Sequence, residues 1–181
     1  FRRVLFRSCG FISATLSNLP DVSNVRPSAS SQIYDVHGNL ITTVHSTENR
    51  LPVPLKDVPK DLQNAFVATE DSRFYTHHGI DPIGILRAVW VNIVHSGVSE
   101  GGSTITQQLA RNAFLSQDRT LKRKISEALL ALKIEQHYTK DEILEMYMNQ
   151  IYFGQGAYGV QSASHVYFGK DASELTLAQA A

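Results

Sequence analysis

Glu70 and Asp71 stand side by side in Glu70-Asp71-Ser72-Arg73-Phe74-Tyr75-Thr76-His77-His78-Gly79, and downstream Gly101-Gly102-Ser103-Thr104-Ile105-Thr106-Gln107-Gln108 gathers hydroxyls and amides behind two glycines. A buried helix has little use for adjacent carboxylates or for paired Gln after Ser-Thr, because each such group costs free energy unless something binds it. The chemistry on offer is proton abstraction by an acid, with an anion or a sugar held by the hydroxyl segment. Arg111, Arg119, Arg123 and Lys124 follow, with Glu127 in step with Arg119 and Arg123 at i, i+4, i+8. On a helix that row spans ~12 Å, about the reach of a pyrophosphate and a sugar.

Each feature also has a plainer reading. Glu70 at the end of a helix with an apolar opposite face can be partly desolvated, and a desolvated carboxyl holds its proton more tightly, the direction a general base needs. The alternative is a solvated acid pair at a helix end. Ser103 to Gln108 lies where a helix N-terminus offers free N–H groups to an anion. N-capping by Ser103 or Thr104 explains one hydroxyl but not Gln107 and Gln108. No Ser-His-Asp arrangement surrounds Ser103, so a serine nucleophile finds no support. The Arg119-Arg123-Glu127 row in isolation reads equally as a salt-bridge ladder on a solvated face, worth ~0.5 kcal/mol per pair. His77 and His78 point to different faces and lack a second ligand pair, which favours a histidine bonded to backbone at a helix end over a zinc site.

The elements that must position these groups follow from periodicity. Gln32 to Asp35 and Leu40 to Val44 flank Val36-His37-Gly38-Asn39, a hairpin with Gly38 at positive φ. Arg50 to Pro59, with three prolines, is an extended connection. Leu62, Phe66 and Thr69 define a helix over 61–75, and Ile83, Ile85, Leu86, Val89, Trp90 and Ile93 another over 81–95. A loop, Ser96 to Gly102, feeds a helix beginning near Ser103 or Thr104. The helix at about 119–137 carries Leu121, Ile125, Ala128, Leu129 and Leu132 as its expected core stripe, with Arg119, Arg123 and Glu127 opposite. Thr139 and Glu142 form a capping box for a helix over 140–150. Gly154, Gly156 and Gly159 mark a tight turn, and a last helix starts near Thr176, capped with Gln179. The fold class is mainly α with a small N-terminal β-hairpin.

A chain of 181 residues with 43% hydrophobic content suits one domain or slightly less. Net charge of zero argues against nucleic acid, yet between Arg111 and Lys140 seven Lys or Arg meet three Asp or Glu, a local excess suited to a phosphate or an anionic head group. One cysteine, Cys9, excludes an internal disulfide framework. Residues 1–8 (FRRVLFRS) read as adapter-like and non-native. Cys9 to Leu16 is apolar but shorter than the ~20 residues of a membrane span. Residues 9–31, rich in Ser, Asn and Pro towards their end, read as a linker after a missing membrane anchor, and 32–181 as the folded domain, truncated at its C-terminal end.

Four ordered motifs carry a resemblance. Glu70, Asp71, Phe74, His77 and Gly79; Gly101 to Gln108; Arg123, Lys124 and Glu127; and Lys140, Ile143, Leu144, Tyr147 and Asn149 resemble the motifs of family 51 glycosyltransferases, the peptidoglycan transglycosylase domains of bacteria. The Gln32-Ile33-Tyr34-Asp35 segment is similar to class A penicillin-binding proteins of the 1A type. The resemblance implies a lysozyme-like helical domain at the extracytoplasmic face of the bacterial cytoplasmic membrane, polymerising lipid II with inversion and release of undecaprenyl pyrophosphate. It implies Glu70 as the base that deprotonates the acceptor hydroxyl, and Glu127 as a second catalytic carboxylate orienting the donor site. Asp71, Ser103, Thr104, Gln107, Gln108, Arg111, Arg119, Arg123 and Lys124 are the implied substrate-binding set. It requires no cofactor, with a divalent cation, Mg or Mn, near Glu127 as an option. Its implied partners are lipid II, the growing glycan strand, the membrane and cell-wall synthesis proteins. Met148 stands where leucine is usual, Arg111 where lysine is also common, and the final motif breaks off at Leu175 to Ala181.

The cationic content agrees with transfer: a pyrophosphate leaving group needs positive charge more than a proton, whereas a glycosidase needs a carboxylic acid at its leaving group. The competing readings are a non-catalytic scaffold that binds glycan and a muramidase-like hydrolase.

Overall fold

The computed structural model of the chain describes residues 19–23, 31–38, 40–44, 49–95, 101–115 and 120–180. Residues 1–18, which include the adapter-like and apolar N-terminal stretches, lie outside the described residues, as do Asn39, 96–100 and Arg119.

Strands β1 (Ser31–Tyr34) and β2 (Leu40–Val44) pair antiparallel as the expected hairpin, with Ser31 opposite Val44. Gly38 has φ +83°, and its N–H closes the turn on the Asp35 carbonyl. The remaining strands, β3 (Asn49–Arg50) and β4 (Ala157–Tyr158), make a two-residue parallel pair that the sequence does not announce. The proline-rich connection is extended except for a short 3-10 turn, Leu55–Asp57, held by Gln63 Nε2, which donates to the Leu55 and Val58 carbonyls.

The helical body comprises α1 (Lys60–Glu70), α2 (Pro82–Val94), α3 (Ile105–Phe114), α4 (Leu121–His137), α5 (Lys140–Gln150), α6 (Val160–Phe168) and α7 (Leu177–Ala180). Helix α1 stops at Glu70, short of the expected Tyr75, because Asp71 leaves helical geometry and residues 71–80 run as successive turns. Helix α2 starts on Asp81, whose carboxylate accepts the Ile83 N–H, with Pro82 in the first turn where its missing donor does no harm. The capping box of Thr139 and Glu142 opens α5 as expected. Helix α6 was not separated from its neighbours by pattern: Gly159 at φ +84° starts it, and Gly169 at φ +66° ends it.

The core gathers Phe74, Ile105, Leu109, Leu130, Ile134, Ile143, Leu144, Tyr147 and Met148 from α3, α4, α5 and the segment after α1. Val22, inside the stretch read as linker, is buried there too; Tyr138 Oη donates to its carbonyl and Lys133 Nζ to that of Pro20.

One helix faces the other way from its apolar pattern. In α4 the buried positions are Glu127, Leu130, Ala131 and Ile134, while Leu121 is 86% exposed and Ile125 and Leu132 are also exposed. The expected core stripe is therefore largely at the surface, and Glu127, expected on the working face opposite the core, is 1% exposed. The cause is pairing: Glu127 meets two cations inside the fold, and the Gly79 backbone packs so tightly on Ala131 that this face of α4 must turn inward. Helix α2 buries only Ala88, and Ile83, Leu86, Val89, Trp90, Ile93 and Val94 form an exposed apolar surface.

Candidate active site

Glu70 is the last residue of α1, placed at the rim of two cavities. On one side is a polar cleft of about 710 Å³ lined by Thr69, Glu70, Ser72, Arg87, Gly101, Ser103, Gln108 and Arg111, among others. On the other is an apolar pocket of about 280 Å³ walled by Leu62, Phe66, Phe153, Val160, Tyr167 and Leu175, with Thr69 and Glu70 again at its edge. Gln108 Nε2 donates to Glu70 Oε2 at 2.8 Å, and the Gln108 Oε1 in turn accepts from Tyr147 Oη at 3.1 Å. The Tyr147 phenol is pushed above its ordinary range, first by burial and then by the Glu70 charge, with Arg111 opposing.

The residues after Glu70 explain why the cleft has this form. Asp71 is buried, its carboxylate 2.8 and 3.0 Å from His77 Nε2 and accepting the Ile105 N–H at 3.1 Å. It thus satisfies a donor at the N-terminus of α3, where the helix dipole favours a negative charge. His77 binds this carboxylate rather than backbone. Phe74 is fully buried, and Lys140 Nζ sits 4.5 Å from its ring centroid. Gly79 has φ +82°, and a Cβ there would lie 2.9 Å from the Ala131 carbonyl atoms. Its own carbonyl accepts Thr104 Oγ1 at 2.7 Å.

At the start of α3 a complete capping box accounts for two residues assigned to substrate: Thr104 accepts the Gln107 N–H, and Gln107 Oε1 accepts the Thr104 N–H. Both side chains are buried. Capping by Thr104 alone left Gln107 unexplained in sequence; the reciprocal bond supplies the reason. Ser103, Gln108 and Arg111, by contrast, line the cleft.

Lys124 Nζ donates to Ser103 Oγ at 2.7 Å and to Glu127 Oε2 at 2.9 Å, while Arg123 Nη1 lies 3.3 Å from Glu127 Oε1. A continuous set of contacts therefore runs from the cleft edge at Ser103 to the buried Glu127. Arg123 and Lys124 already lie against the Glu127 carboxylate. Among the described residues no three His, Cys, Asp or Glu side chains come together to hold a metal ion.

Sequence reasoning passed over Arg87 and Ser72, which share the polar cleft with Glu70. A signal was present for Arg87: it is the one charged side chain in the otherwise apolar run of α2. Tyr147 was noted as a motif member without a task, since spacing shows only that it shares a helix face with Ile143 and Leu144.

Comparison with known proteins places this arrangement. The family described as Transglycosylase matches residues 37–181. Penicillin-binding protein 1A of Escherichia coli (strain K12) is 52% identical over 167 residues, covering 92% of this chain and 20% of the relative. Penicillin-binding protein 1F of Bacillus subtilis (strain 168) is 51% identical, covering 84% of this chain and 21% of that protein. Penicillin-binding protein 1A of Aquifex aeolicus (strain VF5) is 49% identical, with 94% and 24% covered. The chain spans about a fifth to a quarter of the length of these relatives. With a family match over most of its length and relatives about half identical, the chain belongs to the transglycosylase family, as a domain of the class A penicillin-binding protein kind.

Proposed function

We propose that the protein polymerises lipid II into a β-1,4-linked glycan strand at the extracytoplasmic face of the bacterial cytoplasmic membrane. Glu70 is the general base. It takes the proton of the acceptor's 4-hydroxyl as that oxygen bonds to C1 of the donor sugar; the bond from C1 to the pyrophosphate oxygen breaks on the opposite face, so the anomeric centre inverts and undecaprenyl pyrophosphate leaves. The observation that carries the reading is Glu70 at the rim of a polar cleft whose described walls also hold Arg87 and Arg111. Cations so placed stabilise the charge that develops on a departing pyrophosphate. Lys124 adds a third cation at Ser103, and Glu127 orients it together with Arg123. Arg119 belongs to the same cationic set by its spacing.

Glu70 is the one carboxylate among the described cleft-lining residues. Hydrolysis of a glycoside needs a second, protonated carboxyl at the leaving group, so transfer is the better account of this cleft. The apolar surface of α2 suits contact with the membrane that holds a lipid-linked substrate. No helix among the described residues is long and apolar enough to cross that membrane.

The test is turnover of lipid II by the whole protein carrying Glu70→Gln. Loss of at least 10²-fold with binding retained is expected, since a general base contributes roughly 10²- to 10⁴-fold. Wild-type turnover by this variant removes Glu70 as the base. Binding of lipid II by the unaltered protein without release of undecaprenyl pyrophosphate supports a scaffold instead.

A further inference from the structure

Tyr147 is fully buried on α5, yet its hydroxyl is not spent on the core: it donates to Gln108 Oε1 on α3, at 3.1 Å. A glutamine amide has two ends of opposite character, nearly equal in shape, and only its partners decide which end points where. The Tyr147 hydroxyl donates to Gln108 Oε1, and burial together with the Glu70 charge raises its pKa, so the phenol keeps the proton that it donates. With Oε1 so engaged, the amide's other end, Nε2, faces Glu70, where it donates to Oε2 at 2.8 Å. Reversing the amide would set a carbonyl oxygen against the carboxylate, a contact that only a protonated Glu70 could satisfy.

We infer that Tyr147 is a positioning residue for the base, acting through Gln108: it holds the amide in the orientation that sets its N–H on Glu70 Oε2 and leaves the other carboxylate oxygen to receive the acceptor's proton. The inference rests on the proposed role of Glu70. The charged and titratable groups around Glu70 are Asp71 beside it on the chain, Arg87 from α2, Arg111 from α3 and Tyr147 from α5. Asp71 is already engaged with His77 and the Ile105 N–H. The Gln108 amide is thus the neighbour of Glu70 whose effect depends on which way round it lies.

The experiment compares Tyr147→Phe, Glu70→Gln and Phe66→Leu in the whole protein, with lipid II as substrate, measuring kcat, KM and the pH dependence of both. Phe66 packs edge-on against the Tyr147 ring at 6.0 Å between centroids, so Phe66→Leu disturbs the same packing without touching the hydroxyl. Tyr147→Phe is expected to lower kcat about tenfold at neutral pH with KM little changed. The acidic limb of its rate profile should move to higher pH, so that much of the loss is recovered in alkaline buffer. Phe66→Leu should lower Tm and leave the limb in place. A second readout is independent of turnover: the Gln108 side-chain NH₂ protons, followed by NMR, should exchange faster in Tyr147→Phe at unchanged fold. If Tyr147→Phe keeps the wild-type rate and profile while Glu70→Gln is inactive, the inference is overturned and the function stands. If Glu70→Gln is itself as active as wild type, both are overturned. A limb that moves equally in Phe66→Leu shows that packing, not the hydroxyl, is responsible, and that also overturns the inference.

Discussion

Replacing Asp71 separates two roles that the motif alone cannot tell apart. As a substrate ligand, its loss would raise KM and leave the fold intact. In the structure its carboxylate is buried and holds His77 Nε2 and the Ile105 N–H. Asp71→Ala strands both partners in the interior, and each buried group left without its hydrogen bond costs about 1–3 kcal/mol. The two together give about 2–6 kcal/mol. For a domain of this size 1 kcal/mol lowers Tm by roughly 2–4 °C, so a fall of about 5–20 °C is expected. Asp71→Asn keeps an acceptor for Ile105 and meets His77 through its tautomer, so it should recover more than half of that loss. Thermal unfolding by circular dichroism on the three proteins measures the difference, alongside lipid II binding to those that stay folded. A Tm within about 1 °C of wild type for Asp71→Ala, joined to a raised KM, would refute the argument and return Asp71 to the substrate.

Gly79→Ala should destabilise by about 2–5 kcal/mol in urea unfolding, because the φ of +82° costs an L-residue roughly 1–2 kcal/mol and the added Cβ must displace the Ala131 backbone. Glu127→Gln should cost up to about 3–5 kcal/mol in the same assay, since the carboxylate is buried and its neutralisation leaves Arg123, only 17% exposed, without its charged partner. On the proposed function the same variant should lose about 100-fold in kcat, the scale expected when groups proposed to meet the leaving group drift by about an ångström.

Helices α2, α3 and α5 were legible in the sequence, α2 from the apolar spacing of Ile83 to Ile93, α3 from Ser103 or Thr104 as a cap behind two glycines, and α5 from the capping box of Thr139 with Glu142. Such caps act within a few residues, so their physics is present in the chain itself. The hairpin turn at Gly38 is of the same kind. The parallel pair of Asn49–Arg50 with Ala157–Tyr158 was not legible, since two-residue strands leave no period and the partners are remote in sequence. The end of α1 was misplaced because the residue that terminates it, Asp71, is drawn out of the helix by Ile105 and His77 rather than by a local breaker.

For the site, the amino-acid sequence by itself determined the chemical inventory: the acid at Glu70, the hydroxyl and amide segment behind two glycines, the cations of α4, and the family to which they belong. Residue types and short spacings carry that information before any folding. Only the tertiary structure decided where each of them sits. Asp71, Thr104 and Gln107 are tied into the packing of α3 on the turn after α1, while Arg87, from an apolar helix, joins the cleft with Glu70. The face of α4 was likewise decided in three dimensions. A hydrophobic period records which residues are alike, whereas burial follows from which partners are present, and Glu127 is buried because Arg123 and Lys124 meet it there.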